Sequence, residues 1–259
     1  MYSTVKEIFN YSEMLKSIVK KDLRTRYRGS VLGFLWTFLN PMLQLTVYAI
    51  VFPYVLRFNV ENYAVFLFVC LIPYAFFQTT VLLSCGLIIN NANIVTKLYF
   101  PRIILPLGCT ISGLINMFLT YLIVIPMLLF FDIPMTWNLL WLFFLFLVQT
   151  VMCAGLAMLF SAINVYFRDT EHIMGIITMA LHFLSPILYG IEMLPEKLQF
   201  WIKLNPLTGL FTAYRDVVFY GKSIIFSNMM IYSIVCSFVI FIVGFVVFQK
   251  LQRNFAEVV

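Results

Sequence analysis

The chain has 259 residues, of which 63% are hydrophobic and only 11% are charged, and its mean hydropathy is +0.97. Soluble globular domains carry about 25% charged residues because their surfaces face water, so this composition excludes a soluble domain and predicts an integral membrane protein. We attribute the net charge of +6 to membrane topology and headgroup attraction. The sequence has no basic, aromatic-interleaved soluble surface, so we expect no nucleic-acid partner.

The first predicted element is an amphipathic helix over residues 10–28. Such a helix lies in the membrane interface, with its apolar side against acyl chains and its cations against anionic headgroups. From these residues alone, it could equally be only an anchor. Its apolar side chains recur at intervals of three and four residues, and basic side chains recur every four residues: Leu15, Ile18, Val19, Leu23 and Tyr27 against Lys16, Lys20, Arg24 and Arg28.

Six charge-free apolar runs follow, and each is long enough to cross a bilayer once as a helix. The predicted fold class is therefore an all-α integral membrane protein with six transmembrane helices. The predicted spans cover about residues 31–56, 63–89, 103–131, 138–163, 172–190 and 226–249.

The positive charges indicate how these spans are oriented. If both termini are cytoplasmic, the inner segments hold about 12 of the 17 Lys and Arg residues, as the positive-inside rule requires. We expect no cleaved signal peptide, because basic residues are scattered through the first 30 positions and no apolar run precedes Val31. The outer segments then hold the remaining cations, which are Arg57, Lys197, Lys203, Arg215 and Lys222.

The spans offer little material for catalysis or metal binding. They contain almost no ionisable groups, and the stretch 221–223 lacks the earlier glycine of a phosphate-binding loop, since Asp216 stands there. The five cysteines lie in apolar runs at spacings unlike a metal site or a disulfide framework, and His172 and His182 are isolated. We therefore predict that the chain is not an enzyme and holds no metal or cofactor.

Three interruptions of the apolar pattern suggest functional segments. Asn40-Pro41 removes a backbone hydrogen bond from the first span and predicts a bend, although tolerated prolines are also common in membrane helices. The inner loops 90–102 and 164–172 mix aromatic and charged side chains, so they could dock a soluble partner or be solvated turns. The outer stretch 191–222 combines prolines with amphipathic pieces, which predicts short re-entrant helices before the last span.

Several short motifs stand in order along nearly the whole chain. They are residues 26–36 with Asn40-Pro41, Phe100-Pro101-Arg102, Phe167-Arg168-Asp169, Ser185–Tyr189, and Asn205-Pro206-Leu207 with Arg215. In this combination the chain resembles the permease subunit of polysaccharide-exporting ABC-2 transporters, a group that exports O antigens, teichoic acids and capsular polymers. The resemblance implies that residues 1–259 form a single transmembrane domain.

The resemblance implies partners that the residues alone do not reveal. Two copies of the chain would pair around one conduit in the bacterial cytoplasmic (inner) membrane. Two copies of a separate ATP-binding ABC subunit would carry ATP and Mg²⁺, with no cofactor in this chain, and would grip the inner loops. The residues that we place at or near this grip are Lys97, Tyr99, Arg102, Arg168, Asp169 and Glu171.

The resemblance also implies a substrate, a polysaccharide linked to polyprenyl pyrophosphate. Guanidinium groups bind phosphate oxygens in a fork, so Arg24, Arg26 and Arg28, together with the loop at Gly33, are candidates for its access site. A moving glycan needs weak, repeated contacts, which aromatic rings can supply, although rings also populate interfacial belts. The candidate rings for the glycan path are Trp36, Phe38, Tyr48, Tyr189 and Trp201.

Two alternative functions remain open on the sequence. One is an ABC-2 exporter of a small lipid or drug, but those branches generally lack the amphipathic helix with its arginine cluster. The other is an ATP-independent channel or ion-coupled carrier. Coupled carriers usually need an ionisable residue near the bilayer midplane, and these spans offer only His182.

Overall fold

The computed structural model describes residues 7, 10–25, 29–51, 60–97 and 100–255. All regular elements in these residues are helices, as predicted, and short 3₁₀ turns cover Gly33–Leu35, Trp137–Leu140, Ile191–Met193 and Gln252–Asn254. The α-helices are α1 (Ser12–Thr25), α2 (Trp36–Ile50), α3 (Tyr63–Cys85), α4 (Leu87–Asn90), α5 (Ala92–Lys97), α6 (Ile104–Tyr121), α7 (Val124–Phe130), α8 (Trp141–Tyr166), α9 (Thr170–Phe183), α10 (Glu196–Lys203), α11 (Pro206–Val218) and α12 (Asn228–Leu251).

Four helical segments of the described chain are long and apolar enough to cross a membrane, and they correspond to the second, third, fourth and sixth predicted spans. They cover Tyr63–Cys85, Ile104–Phe130, Trp137–Tyr166 and Asn228–Asn254. The protein is therefore a helical membrane protein, and its composition is explained by lipid contact.

The first and fifth predicted spans contain shorter helices within the described residues. Helix α2 has 15 residues, and a helix of that length rises about 22 Å, less than the roughly 30 Å hydrocarbon core. Residues 52–59, which follow it, lie outside the described residues. Helix α9 ends at Phe183, ahead of Pro186, which disfavours helical backbone at the residue before it. The count of six spans stays a prediction.

Helix α3 occupies the centre of the fold. Of its most apolar 18-residue stretch, 78% is buried inside the protein, against 22% for the last spanning segment. It packs against α2, α6, α8, α9 and α11, whereas α12 packs mainly along α8 and turns its other side outward. Because α3 lies among these helices, its backbone positions the elements around it.

Pro73 in the middle of α3 removes an N–H donor, and a neighbouring helix supplies a replacement. The carbonyl of Val69, four residues earlier, accepts a hydrogen bond from the Tyr121 hydroxyl at 3.2 Å. The carbonyl of Pro73 itself accepts from the Gln149 amide at 2.7 Å, and the Tyr214 hydroxyl donates to the Gln149 side-chain oxygen at 2.8 Å. Buried polar groups in lipid need such partners, so these contacts fix α3 relative to α6, α8 and α11.

Pro41 lies inside α2, and the helix continues through it. Pro41 has no N–H to donate to the carbonyl of Thr37, four residues earlier. The Thr120 hydroxyl of α6 lies 3.4 Å from this carbonyl oxygen. The same hydroxyl lies 2.9 Å from the carbonyl of Asn116, so one proton serves two acceptors. Helix α6 thus places one hydroxyl next to the carbonyl that Pro41 leaves without a donor in α2, and another next to the carbonyl that Pro73 leaves without a donor in α3.

Small residues let α8 and α12 approach closely. A Cβ atom added to Gly155 would lie 2.5 Å from the Cα of Phe241, and one added to Gly244 would collide with the backbone of Gly155. Paired small residues allow helix backbones to pack against each other in membranes, where van der Waals contact is a main source of association.

We expect Gly244→Ala to lower the melting temperature in detergent, because the added methyl group forces the α8–α12 pair apart. Overpacking of this kind typically costs about 1–3 kcal/mol. Gly175→Ala is the matched control, since nothing lies within 4 Å of the added Cβ there. Equal melting temperatures for the two variants would contradict this account of the helix pair.

Candidate substrate access, path and coupling surface

The predicted amphipathic helix is present as α1, and it packs on α6. A Cβ atom on Gly108 would lie 2.8 Å from the Ile18 side chain, so a glycine at this position permits the close approach. One turn further, the Asp22 carboxylate accepts a hydrogen bond from the Ser112 hydroxyl. Part of the apolar face of α1 is thereby covered by protein, and Val19 is buried.

Two of the predicted substrate-access residues, Arg24 and Gly33, lie at a groove formed by α1, α6 and the start of α2. Arg24 is exposed near the end of α1 and lines this groove together with Gly33, so the structure brings these two candidates together. The groove has a volume of about 720 Å³. Gly33 has φ of +48°, a left-handed conformation that glycine adopts without strain. Arg26 and Arg28 lie outside the described residues.

Charged candidates for coupling are exposed on two neighbouring segments. Lys97 ends α5, and Arg168, Asp169 and Glu171 lie at the turn between α8 and α9. A Cβ atom on Gly86 would be 3.8 Å from a carboxylate oxygen of Glu171, which places this side chain beside the residue that precedes α4. Tyr99 lies outside the described residues.

Helix α1 contacts the first of these two segments. The Lys21 ammonium lies 3.5 Å from the side-chain oxygen of Asn91, which is in the turn between α4 and α5. The Asn91 amide in turn donates to the carbonyl of Leu87 at 2.8 Å. The segment that carries the access candidates therefore touches the segment that carries Lys97.

Arg102 differs from the other coupling candidates because its guanidinium is engaged within the chain. It donates to the carbonyl of Gln252 just after α12, and its charge lies 6.0 Å from the Phe255 ring centroid. The Tyr166 hydroxyl donates to the neighbouring carbonyl of Leu251 at 3.1 Å. Carbonyls at a helix C-terminus lack intrahelical donors, so these two side chains cap the last helix.

The five candidate rings do not form one continuous stack. Trp36 and Phe38 lie in the first turn of α2, where the Trp36 indole donates to Ser30 at 2.9 Å. Tyr48 lies near the other end of α2, which is about 15 Å further along the helix axis. Trp201 is 68% exposed on α10.

Tyr48 and Tyr189 flank the end of α9. The Tyr48 hydroxyl lies 3.4 Å from Nε2 of His182, and the Tyr189 hydroxyl donates to the carbonyl of Phe183 at 2.8 Å. The His182 ring also lies 4.8 Å, centroid to centroid, from Tyr74 of α3. His182 therefore joins α9 to α2 and α3, as expected for a polar residue in a membrane helix.

Arg215 of α11 is a buried cation whose guanidinium makes several hydrogen bonds within the chain. It is 4% exposed and donates to three carbonyls, those of Pro186 at 2.9 Å, Ile187 at 3.0 Å and Tyr189 at 3.2 Å. Its guanidinium lies 3.7 Å from the Phe66 ring centroid and forms no ion pair with a described residue. Hydrogen bonds and the ring face thus stabilise this buried cation.

The electrostatic surroundings of Arg215 include two carboxylates. Burial raises the pKa of the Asp216 carboxyl above its usual range, and the Glu192 charge raises it further. The Lys222 ammonium and the Arg215 guanidinium oppose this increase in pKa. The Asp216 carboxylate therefore offsets part of the buried positive charge without touching it.

Comparison with known proteins decides the family. The profile of the family of ABC-2 type transporters matches residues 13–219, which is most of the chain. The chain belongs to this family. An O-antigen export system permease of Myxococcus xanthus is 31% identical over 259 residues, covering 99% of each chain, and one of Klebsiella pneumoniae is 33% identical over 251 residues, covering 95% of each. A polysialic acid transport protein of Escherichia coli is 23% identical over 223 residues, covering 80% of this chain and 81% of that protein.

In this ABC-2 transporter chain, the motifs 185–189 and 205–207 and Arg215 meet at one place. The Asn205 side-chain oxygen caps α11 by accepting from the N–H of Leu207 at 3.0 Å, and its amide donates to the Ser185 hydroxyl at 2.9 Å. Together with the three hydrogen bonds of Arg215, this cap fixes the segment between α9 and α10. The sequence contains these motifs, but their mutual contact depends on the folding of segments about 20 to 30 residues apart.

Proposed function

We propose that this chain is the transmembrane subunit of an ATP-driven exporter that moves a polyprenyl-pyrophosphate-linked polysaccharide, of O-antigen or teichoic acid type, across the bacterial inner membrane. The observation that carries this proposal is the end-to-end similarity to O-antigen export permeases at 31% and 33% identity.

The working assembly would contain two copies of the chain, each with six spans and with both termini cytoplasmic. Two ATP-binding subunits would bind and hydrolyse ATP with Mg²⁺ and would press on the surface formed by Lys97, Arg168, Asp169 and Glu171. The exposure of these four side chains supports the proposal, because a docking surface must be free to meet its partner. Closure of the ATPases would then be transmitted to the path between the permeases.

The substrate would arrive at the junction of α1 and α2. Arg24, Arg26 and Arg28 would bind its pyrophosphate, and the Gly29–Gly33 loop would let the headgroup approach the backbone. Gly29 and Gly33 both have positive φ, and a Cβ atom at either would meet open space. The contact between Lys21 and Asn91 offers a physical connection from this site to the coupling surface.

A reconstituted export assay tests the function. Proteoliposomes would contain the chain with its ATPase partner, and a lipid-linked glycan would be supplied on the side that binds ATP. We expect the glycan to become protected inside the vesicles only with ATP, and a hydrolysis-deficient ATPase is the control. Protection without ATP would favour a channel or carrier, and movement of small lipids alone would favour the other alternative.

We expect Tyr48→Ala to slow glycan export, because Tyr48 is half-buried near the end of α9 and its ring would be one contact along the path. Aromatic contacts are worth about 0.5–1.5 kcal/mol, which corresponds to a roughly 2- to 12-fold slower rate. Tyr48→Phe keeps the ring and should export normally. Trp137→Ala is the control for loss of an aromatic side chain, because the Trp137 ring is 89% exposed and is not one of the candidate rings for the path. Normal export by Tyr48→Ala would show that this ring is not part of the glycan path.

A further inference from the structure

A small cavity lies where α2 passes Pro41 and packs against α3 and α6. Its volume is about 60 Å³, and Pro41 itself lines it. Among the described residues that line the cavity, Gln44 alone is exposed, and the rest are buried or half-buried. A buried water molecule needs at least roughly 10–15 Å³ of such space, so the cavity can hold several. Its small volume favours water over a lipid chain.

Each of the three helices contributes polar side chains to the lining of this cavity. Gln44 belongs to α2, Thr79 to α3, and Asn116 and Thr120 to α6. Apolar cavities in proteins stay dry, whereas polar cavities of sufficient size hold water molecules that each make about three hydrogen bonds. Amide and hydroxyl groups can both donate and accept, so the chemistry of the lining fits water.

Two buried hydroxyl groups beside the cavity have no hydrogen-bond partner among the described residues. They belong to Thr37, which is 2% exposed, and Thr80, which is 1% exposed. A Cβ atom on Gly113, which lines the cavity, would lie 2.9 Å from the Thr80 hydroxyl oxygen. Thr37 lies one turn before Pro41, and its carbonyl lies 3.4 Å from the hydroxyl of Thr120 in the lining. Both hydroxyl groups therefore need a small ligand that can donate and accept.

One backbone carbonyl at the same place also lacks a full share of a donor. The Thr120 hydroxyl lies 2.9 Å from the carbonyl of Asn116 but 3.4 Å from that of Thr37, so its proton serves the Asn116 carbonyl better. Pro41 has no N–H for the Thr37 carbonyl. Ordered water is one of the groups that satisfy a backbone carbonyl next to a proline in a membrane helix.

We propose that this cavity binds a cluster of water molecules between α2, α3 and α6. The cluster hydrogen-bonds to the Thr37 and Thr80 hydroxyl groups and donates to the Thr37 carbonyl, in place of the N–H that Pro41 lacks. It thereby ties α2 to α3 and α6. Because α2 carries Trp36 and Tyr48, the water cluster positions the helix that holds these two candidate rings.

Gln44 indicates how water reaches the cavity. Its side chain is exposed on α2, within an apolar run that carries no charge. An amide that faced hydrocarbon would lose hydrogen bonds with water, so the side of α2 that carries Gln44 faces an aqueous space. This step rests on the proposed function, in which that space is the conduit between two copies of the chain. Water exchanges between the conduit and the cavity past Gln44.

Hydroxyl-radical footprinting with X-ray pulses tests this proposal on the chain in complex with its ATPase partner in nanodiscs. The pulses generate radicals from water in place, so a buried side chain is oxidised when water is bound next to it. Met117 is the reporter, because it lines the cavity and is 2% exposed. Met158 is the control residue, since it is 0% exposed and lies in an apolar cluster. We expect oxidation of Met117 and none of Met158.

A double variant tests whether the polar groups hold the water. Thr80→Val with Asn116→Leu removes polar atoms with little change in volume, and oxidation of Met117 should fall to the level of Met158. Thr110→Val is the matched control, because Thr110 is buried on α6 but does not line the cavity. Its hydroxyl donates to a carbonyl of the same helix at 2.9 Å, and Met117 should be oxidised in this variant as in the wild type.

A second variant removes the space instead of the polar groups. Ala75→Leu fills the cavity from α3 and should also protect Met117. Protection of Met117 in the wild type would overturn the proposal, because the cavity would be dry. So would wild-type oxidation of Met117 in both cavity variants, because the radicals would then come from transient opening of the helices. Export is not measured, so either failure leaves the proposed function standing, and a failed export assay would not alter the labelling.

Discussion

Arg215→Met is expected to destabilise the protein by about 3 kcal/mol, since three carbonyls lose their donor and each lost buried hydrogen bond costs roughly 1 kcal/mol. Removal of a buried cation can itself be favourable, but it leaves the backbone of the segment 186–189 without partners in a region that excludes water. We therefore expect the loss to dominate. For a chain of this size, the melting temperature in detergent should fall by roughly 6–12 °C.

Two further variants separate the causes of this effect. Arg215→Lys keeps the charge but cannot reach three carbonyls with a planar fork, so its melting temperature should lie between those of the wild type and the methionine variant. Lys197→Met removes an exposed cation from α10 and should leave the melting temperature unchanged. If Arg215→Met melts with the wild type, other contacts hold the segment between α9 and α10.

The second large effect is expected at the turn between α8 and α9. Arg168→Ala and Asp169→Asn should each leave ATP hydrolysis by the partner active. Export should fall by roughly 5- to 150-fold, as expected when a coupling contact of about 1–3 kcal/mol is lost. Both side chains are exposed, and Asp169 forms no cap hydrogen bond at the start of α9, so the fold should tolerate the changes.

The measurement is the ratio of glycan exported to ATP hydrolysed in proteoliposomes that contain the complex. Lys222→Ala, an exposed charge in the segment before α12, is the matched control and should keep the wild-type ratio. Loss of both activities together would indicate failed assembly. Normal export by both variants would remove these residues from the coupling surface.

Local sequence pattern predicted α1 and the spanning segments well. In both cases the helix is stabilised because apolar side chains move from water into lipid. This stabilisation does not depend on a particular tertiary contact. The boundaries of the shorter elements were less predictable. The predicted span at about 172–190 is helical only to Phe183, because Pro186 and the contacts of Arg215 favour another backbone path.

The coupling candidates illustrate a different limit. Lys97, Arg168 and Arg102 all appear in the sequence as charges beside apolar runs. The structure leaves Lys97 and Arg168 exposed but turns Arg102 onto the end of α12, about 150 residues away. Sequence spacing contains no information about this contact, since it depends on how α6 and α12 pack around their neighbours.

The sequence by itself determined the membrane class, the helical fold and the resemblance to ABC-2 permeases, because hydropathy and short motifs are local properties. Only the tertiary structure decided what the charges do. In the sequence, Arg215 counts as one more cation of an outer segment, whereas in the fold it is buried and organises a loop. The physical reason is that a buried cation requires partners, and the carbonyls that serve Arg215 come from a segment nearly 30 residues earlier.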